Sequence, residues 1–223
     1  MTLSIAGRCA ETGMLGGAVT SSSICVASRC LFTRAGVGSA LTQNVTDPSL
    51  GEKMLNLLES GSDVKTTLYK VVSETNNIQW RQLLLLDSMG SSALHTGEKV
   101  LGLHSTVQGN QCAAAANLLS NQRVTSAMVE AFEKKSGHLA DRLITALEAG
   151  VSAGGEEGPV FSAGVEVSHK VKWPIVDLRV DWDHEPIAKL HTIWNEYKPQ
   201  LEDYLTRALN PDDAPSYGVP GDM

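Results

Sequence analysis

Twice along this chain a pair of amphipathic helices is set between blocks of strand-like sequence, and that order restricts the fold more than any single motif does. Residues 2–8 alternate, with Leu3, Ile5 and Gly7 on one face and Thr2, Ser4 and Ala6 on the other. The turn Ala10-Glu11-Thr12-Gly13 predicts that residues 16–21 return as a hairpin partner. Residues 36–43 read as a third strand whose small side chains suit the close approach of another layer or of a ligand. Asp47-Pro48 opens a helix with Met54, Leu55, Leu57 and Leu58 on one face, and a second helix from about Ser62 carries Val64, Leu68, Val71 and Val72.

Strands resume at 81–87 and 92–96, and residues 112–116 are apolar enough for a buried strand. Two more helices are predicted at about 123–135 and 138–149, then a glycine-rich loop at 150–158, strands at 160–169 and 176–182, and a terminal helix over 186–209. A helix pair that follows a strand block must cover a sheet face, so the expectation is an α+β layered sandwich with mostly antiparallel sheets. With no repeat and no long linker, residues 1–223 read as one domain with an irregular tail from about 210.

A chain of 223 residues with 42% hydrophobic content can bury a core without a disulfide or metal staple. A formal net charge of −7 argues against nucleic acid and anionic membranes as partners. Cys9, Cys25, Cys30 and Cys112 form no CxxC pair and the six histidines are scattered, so neither a metal nor another cofactor is expected. An apolar run such as Leu83 to Leu86 is far too short to span a bilayer, and the first residues do not read as a signal peptide; a soluble, cytoplasmic protein is the expectation.

The strings along the chain resemble a bacterial family of Ntn-hydrolase-like proteins known as a domain of unknown function. The resemblance is carried by Thr2-x-Ser4-Ile5, Glu11-Thr12-Gly13, Gly17-Ala18-Val19, Ser21-Ser22-Ser23, Arg34-Ala35-Gly36-Val37-Gly38 and Thr42-Gln43-Asn44. It continues through Trp80-Arg81-Gln82-Leu83, His95-Thr96-Gly97, Asn117-Leu118-Leu119, Asp177-Leu178-Arg179-Val180-Asp181 and Pro215-Ser216-Tyr217-Gly218-Val219-Pro220-Gly221. The resemblance implies a four-layer αββα sandwich of the Ntn-hydrolase type, with the first strand inside the central sheets. It also implies that the nucleophile is the residue exposed by processing, here Thr2 after removal of Met1. Ala116 stands where that family usually has glycine, and the loop Gly154-Gly155-Glu156-Glu157-Gly158 is acidic where its relatives commonly place basic residues.

A terminal threonine offers a hydroxyl nucleophile and an α-amine base on one residue, and that amine titrates near neutrality. Such a nucleophile needs donors for an oxyanion, and Asn44, Gln43 and Asn117 are candidates, with turn capping as the alternative for the first two. Arg34 and Arg29 could orient the amine or an acidic substrate end, or serve only as surface arginines. Ser21 and Ser22 lie on the expected partner strand of Thr2 and could contact amine or substrate. Asp177-x-Arg179-x-Asp181 reads as a structural ion-pair ladder, and Glu156 and Glu157 as a solvated loop. The expected activity is hydrolysis of an amide-like C–N bond in a small molecule, by Thr2 with Asn44 and Arg34. The alternatives are a non-catalytic binding or assembly protein on the same fold, or an imine or enamine deaminase using side chains in a cleft. Small-residue strands and an apolar terminal helix make a homodimer plausible.

Overall fold

The computed structural model describes residues 2–219, so Met1 and the end of the Pro215–Gly221 string lie outside the described residues. Ten strands fall in chain order as β1 (Thr2–Arg8), β2 (Leu15–Ser21), β3 (Leu31–Arg34), β4 (Gly38–Asn44), β5 (Arg81–Asp87), β6 (Ser92–Thr96), β7 (Ser105–Gly109), β8 (Cys112–Asn117), β9 (Ser162–Ser168) and β10 (Val176–Val180). The helices are α1 (Ala27–Cys30), α2 (Ser49–Glu59), α3 (Val64–Glu74), α4 (Arg123–Lys134), α5 (Leu139–Ser152), α6 (Pro186–Tyr197) and α7 (Leu201–Leu209).

The strands form two antiparallel sheets, one in the order β10-β9-β2-β1-β8-β7 and one in the order β3-β4-β5-β6. Helices α4, α5 and α6 cover the outer face of the first sheet, α2 and α3 cover the outer face of the second, and the two inner faces pack together. The result is the four-layer αββα sandwich that the sequence resemblance implies.

Three apolar clusters fill the three spaces between layers. Leu3, Ile5, Ala114 and Ala116 meet Met128, Phe132, Leu143 and Trp194 beneath the first helix layer. Ala6, Leu15, Val19, Ala113 and Ala115 meet Leu31, Leu41, Leu84 and Leu86 between the sheets. Ala40, Leu83 and Leu85 meet Met54, Leu55, Leu68 and Val71 under α2 and α3. The run Leu83–Leu86 is thus a strand with both faces buried, its leucines directed alternately to helices and to the opposite sheet.

Capping matches composition at two helix starts. The Asp63 side chain accepts from Lys65 N–H and Thr66 N–H at the head of α3, and Asp47 Oδ1 accepts from Ser49 N–H before α2. Three boundaries differ from the sequence reading. The strand expected at 36–43 is the fourth, because Leu31–Arg34 forms a short strand paired to it through the turn at Gly36. Residues 105–109, which carry no clear strand pattern, pair with β8. The terminal helix is broken at Lys198–Gln200, where Pro199 has no N–H to continue the ladder.

Away from the start of β1, Glu166 on β9 points between the sheets and accepts from Thr33 N–H (2.9 Å) and Thr33 Oγ1 (2.6 Å). Burial pushes its pKa up to about 7 against those two donors, and Asp177 adds like charge. Asp177 itself is paired with Arg179 at 2.8 Å on the exposed face of β10, in keeping with the expected ladder.

Close approach of the sheets depends on small residues. A Cβ on Gly17 in β2 would stand 2.6 Å from Leu31 Cδ1 and 3.2 Å from both Ile5 O and Ser39 Oγ. Gly17→Val should therefore lower the urea midpoint by the equivalent of about 1–3 kcal/mol at unchanged m-value, and an unshifted midpoint would refute the close approach. Glu166 gives a pH dependence of definite sign. Its folded pKa lies above the ordinary 4.5, so the folded state holds the proton longer than the unfolded one. The stabilisation is complete below pH 4.5 and is lost as pH rises through about 7. The urea midpoint should fall from pH 5 to pH 8 in the wild type, and Glu166→Gln should remove part of that fall, roughly 1–3 kcal/mol.

Candidate functional site

The start of β1 lies in the middle of the first sheet, and four polar residues of that sheet share one face there. Leu3 and Ile5 face the helices, whereas Ala6 faces the second sheet, so the period-two parity puts Thr2 and Ser4 on the inter-sheet face. Thr2 is opposite Asn117 on β8, and Ser21 is the next β2 residue beyond the Leu3–Thr20 pair. Asn117 shares parity with Ala113 and Ala115, and Ser21 with Val19, so both also face inward. Thr2 is only 4% exposed, and Ser4, Ser21 and Asn117 are fully buried.

The second sheet contributes Gln43 and Gln82, which face the same space by their parity with Leu41 and Leu84. Gln43 Nε2 donates to Gln82 Oε1 (2.7 Å) and to the carbonyl of Ala115 (3.1 Å). Gln82 Nε2 donates to the carbonyl of Ala116 and to Thr96 Oγ1, both at 3.2 Å. Asn117 Nδ2 donates to Gln82 Oε1 at 3.1 Å, and Ser4 Oγ donates to the carbonyl of Ala115 at 3.1 Å. One side chain, Gln82, thus joins both sheets and both other amides. Gln43 Oε1 and Asn117 Oδ1 are buried acceptors with no donor among the described residues. At the end of the Thr2 strand the apolar inter-sheet layer has become a layer of amides and hydroxyls.

The edge of this region is defined by loops. Ser21 Oγ accepts from Ser23 N–H (3.1 Å) and is 2.9 Å from Ser23 Oγ. Ser162 Oγ donates to Ser23 O at 2.6 Å and accepts from Val26 N–H at 3.2 Å, pinning the chain after β2. Phe161 N–H donates to Ser21 O at 2.8 Å. The Phe161 ring stacks on Trp182 at 4.6 Å with His184 edge-on at 5.7 Å, which forms an aromatic shelf beside the site. Trp182 is 53% exposed.

Glu156 is a correction to the sequence reading. It was expected on a solvated loop, yet it is 6% exposed, and Leu119, two residues beyond Asn117, pairs with it in an isolated bridge. Burial pushes its pKa up to about 7. Its neighbour Glu157 is exposed, as expected.

Of the other sequence candidates, Thr2, Ser21, Ser22, Gln43 and Asn117 come together, and Asn44, Arg34 and Arg29 do not join them. Asn44 sits at positive φ (74°) as the last residue of β4, where Nδ2 donates to Trp80 O and Oδ1 accepts from Leu101 N–H. Both halves of its amide thus hold the surrounding loops. Arg34 pairs with Gly38, five positions along β4 from Gln43, or roughly 16 Å away. Its guanidinium is held by Glu52 (2.7 Å), Glu59 and Asn56 on α2. Arg29 donates to Ile24 O and Ser23 Oγ, bracing its own loop. An apolar groove lined by Met14, Val171, Ile175, Leu205 and Leu209 lies at the other end of β2, roughly 20 Å from Ser21.

Sequence reasoning passed over Gln82 and Glu156. Gln82 had a signal, since it shares parity with Leu84 and Leu86, which places a polar residue on an otherwise buried face. Glu156 had none, because a glycine-rich loop has no period from which burial can be read.

A family model described as a family of unknown function, DUF1028, matches residues 2–190. The crystal structure of protein SPO2555 from Silicibacter pomeroyi, itself assigned to that family model, is 30% identical and superposes with a TM-score of 0.85. The match covers 91% of this chain and 89% of that one. Anbu, the ancestral beta-subunit, from Yersinia bercovieri matches at 11% identity and a TM-score of 0.37, over 90% of this chain and 96% of that one. Anbu from Hyphomicrobium sp. strain MC1 matches at 9% identity and a TM-score of 0.40, over 97% and 100%. No curated protein matches.

The Gln82 hub has a measurable stability consequence. Gln82→Leu removes one acceptor shared by two buried amides and a donor to a buried carbonyl, and should cost about 2–4 kcal/mol in urea unfolding. A loss below about 0.5 kcal/mol would show that the amides find other partners.

Proposed function

The chain belongs to the DUF1028 family of unknown function, and we propose that it is an N-terminal-nucleophile hydrolase that cleaves an amide-like C–N bond of a small molecule. In this reading Met1 is removed and Thr2 becomes the first residue. The observation that carries it is Thr2 itself: it stands at the end of a central strand, on the inter-sheet face where the core turns polar, opposite Asn117.

Thr2 Oγ attacks the substrate carbonyl carbon while the α-amine of the same residue takes the hydroxyl proton. The tetrahedral oxyanion collapses, the C–N bond breaks, and the proton held by the amine passes to the leaving nitrogen. Water, deprotonated by the amine, then attacks the resulting ester and releases the acid with Thr2 restored. Asn117 is the side-chain donor best placed for the oxyanion, since Nδ2 carries two hydrogens and spends one on Gln82. Asn44, expected from sequence to hold the oxyanion, and Arg34, expected to orient the amine or an acidic substrate end, are engaged elsewhere and are not assigned a step. The Phe161–Trp182 shelf beside Ser21 offers a flat apolar wall for the substrate.

Intact-mass measurement of protein made in cells should show the loss of one methionine. Turnover across a library of small amides should then fall at least about 10³-fold in Thr2→Ala, with the urea midpoint moved by less than about 1 kcal/mol. Retention of Met1, or equal turnover by wild type and Thr2→Ala, would overturn the assignment.

A further inference from the structure

β1 lies between β2 and β8, and the chain continues past Thr2 on both sides, as Ser22 after β2 and as Leu118 and Leu119 after β8. The segment from Gly155 to Glu157 crosses the gap between them. Ser120 N–H donates to Gly155 O (3.1 Å), Glu157 N–H donates to Leu118 O (3.0 Å), and Glu156 bridges Leu119. From the β2 side, the N–H and hydroxyl of Ser22 lie within electrostatic reach of the Glu156 carboxylate. Glu156 therefore stands at the amino-side end of β1, between the continuations of β2 and β8.

Ser22 supplies the nearest described donors to this buried carboxylate, and neither of its oxygens closes a well-formed hydrogen bond with them. The described neighbours packed against the segment (Ser22, Leu118, Leu119 and Val151) are uncharged. A carboxylate in such a setting is stable only against a cation or as the neutral acid. Its position indicates which cation, because the group that emerges along the axis of β1 at this end is the α-amine of Thr2.

We propose that Glu156 is the positioning residue of the Thr2 α-amine, its carboxylate serving as the counter-charge that seats the ammonium form at the end of β1. This inference rests on Thr2 being the processed terminus, as in the proposed function. The ammonium has three N–H donors for the two carboxylate oxygens, and the pairing fixes the rotation of the amine relative to Oγ of the same residue. A carboxylate in contact also raises the pKa of the amine, so the free base forms at a higher pH than it would without Glu156.

The test is the pH dependence of covalent labelling of the Thr2 α-amine by acetic anhydride, read by mass spectrometry on full-length protein. In Glu156→Gln the midpoint of the labelling curve should fall by about one pH unit, making labelling at pH 7 roughly 5–10-fold faster than in the wild type. Equal midpoints in wild type and variant overturn the role of Glu156 and leave the nucleophile assignment standing. A retained Met1, visible in the same spectra, removes both. If Glu156→Gln does not fold, Glu156→Asp is read in its place, since it keeps the charge and withdraws it by one methylene. A lowered midpoint then supports the seat, and a wild-type midpoint overturns it.

Discussion

The contact on which the rest of this molecule depends is the reach of two glutamines across the gap between the sheets. Gln43 and Gln82 donate directly to the carbonyls of Ala115 and Ala116, backbone groups of the opposite sheet. Side-chain amides can reach so far because β8 presents only Ala113 and Ala115 to the opposite sheet, so little bulk separates the layers. The same smallness recurs where Gly17 of β2 comes close to Ser39 of β4. Between close-packed sheets a buried amide must be fully paired or it destabilises the core. Gln82 Oε1 pairs the amide nitrogens of both Gln43 and Asn117, while their own oxygens, Gln43 Oε1 and Asn117 Oδ1, have no donor among the described residues.

Much of the architecture was legible because period-two and period-3.6 patterns are strong where a layer has one wet and one dry face. The helix pairs α2–α3 and α4–α5 follow that rule, while the strands β1, β2, β5 and β9, buried on both faces, were legible as short runs bounded by turns; their order is enough to imply a layered α+β fold. Where both faces are dry the pattern weakens. The alanines of β8 read as a strand only by length, and β7, with half-buried polar residues, gives no period at all. β3 is four residues long, too short for any pattern to rise above its surroundings. Pro199 was visible in the sequence, but amphipathic spacing on both sides hid the break it makes.

The site was legible by type more than by partnership. Thr2, Ser21, Gln43 and Asn117 were identifiable as polar residues at strand ends, and the fold brings them to one place. The arginines failed to join them for a plain physical reason: Arg34 stands beside three acceptors on α2, which is a better electrostatic setting than an inter-sheet layer that offers it no charge. What remains at the Thr2 end is an acidic side chain among neutral donors and acceptors. The local field there favours a neutral or cationic group over an anionic one.

The central place of β1 also has a consequence in time. Ser4 and Ala115 are 111 positions apart in the chain yet share a hydrogen bond, so β1 cannot complete its pairing until β8 exists. At a synthesis rate of about 5–20 residues per second, the stretch between them takes roughly 5–20 s to appear. For that interval Thr2 lies on an open strand edge, and afterwards it is buried. Any enzyme that trims or modifies the residues ahead of Thr2 works most easily within that interval, before the sheet closes over its substrate.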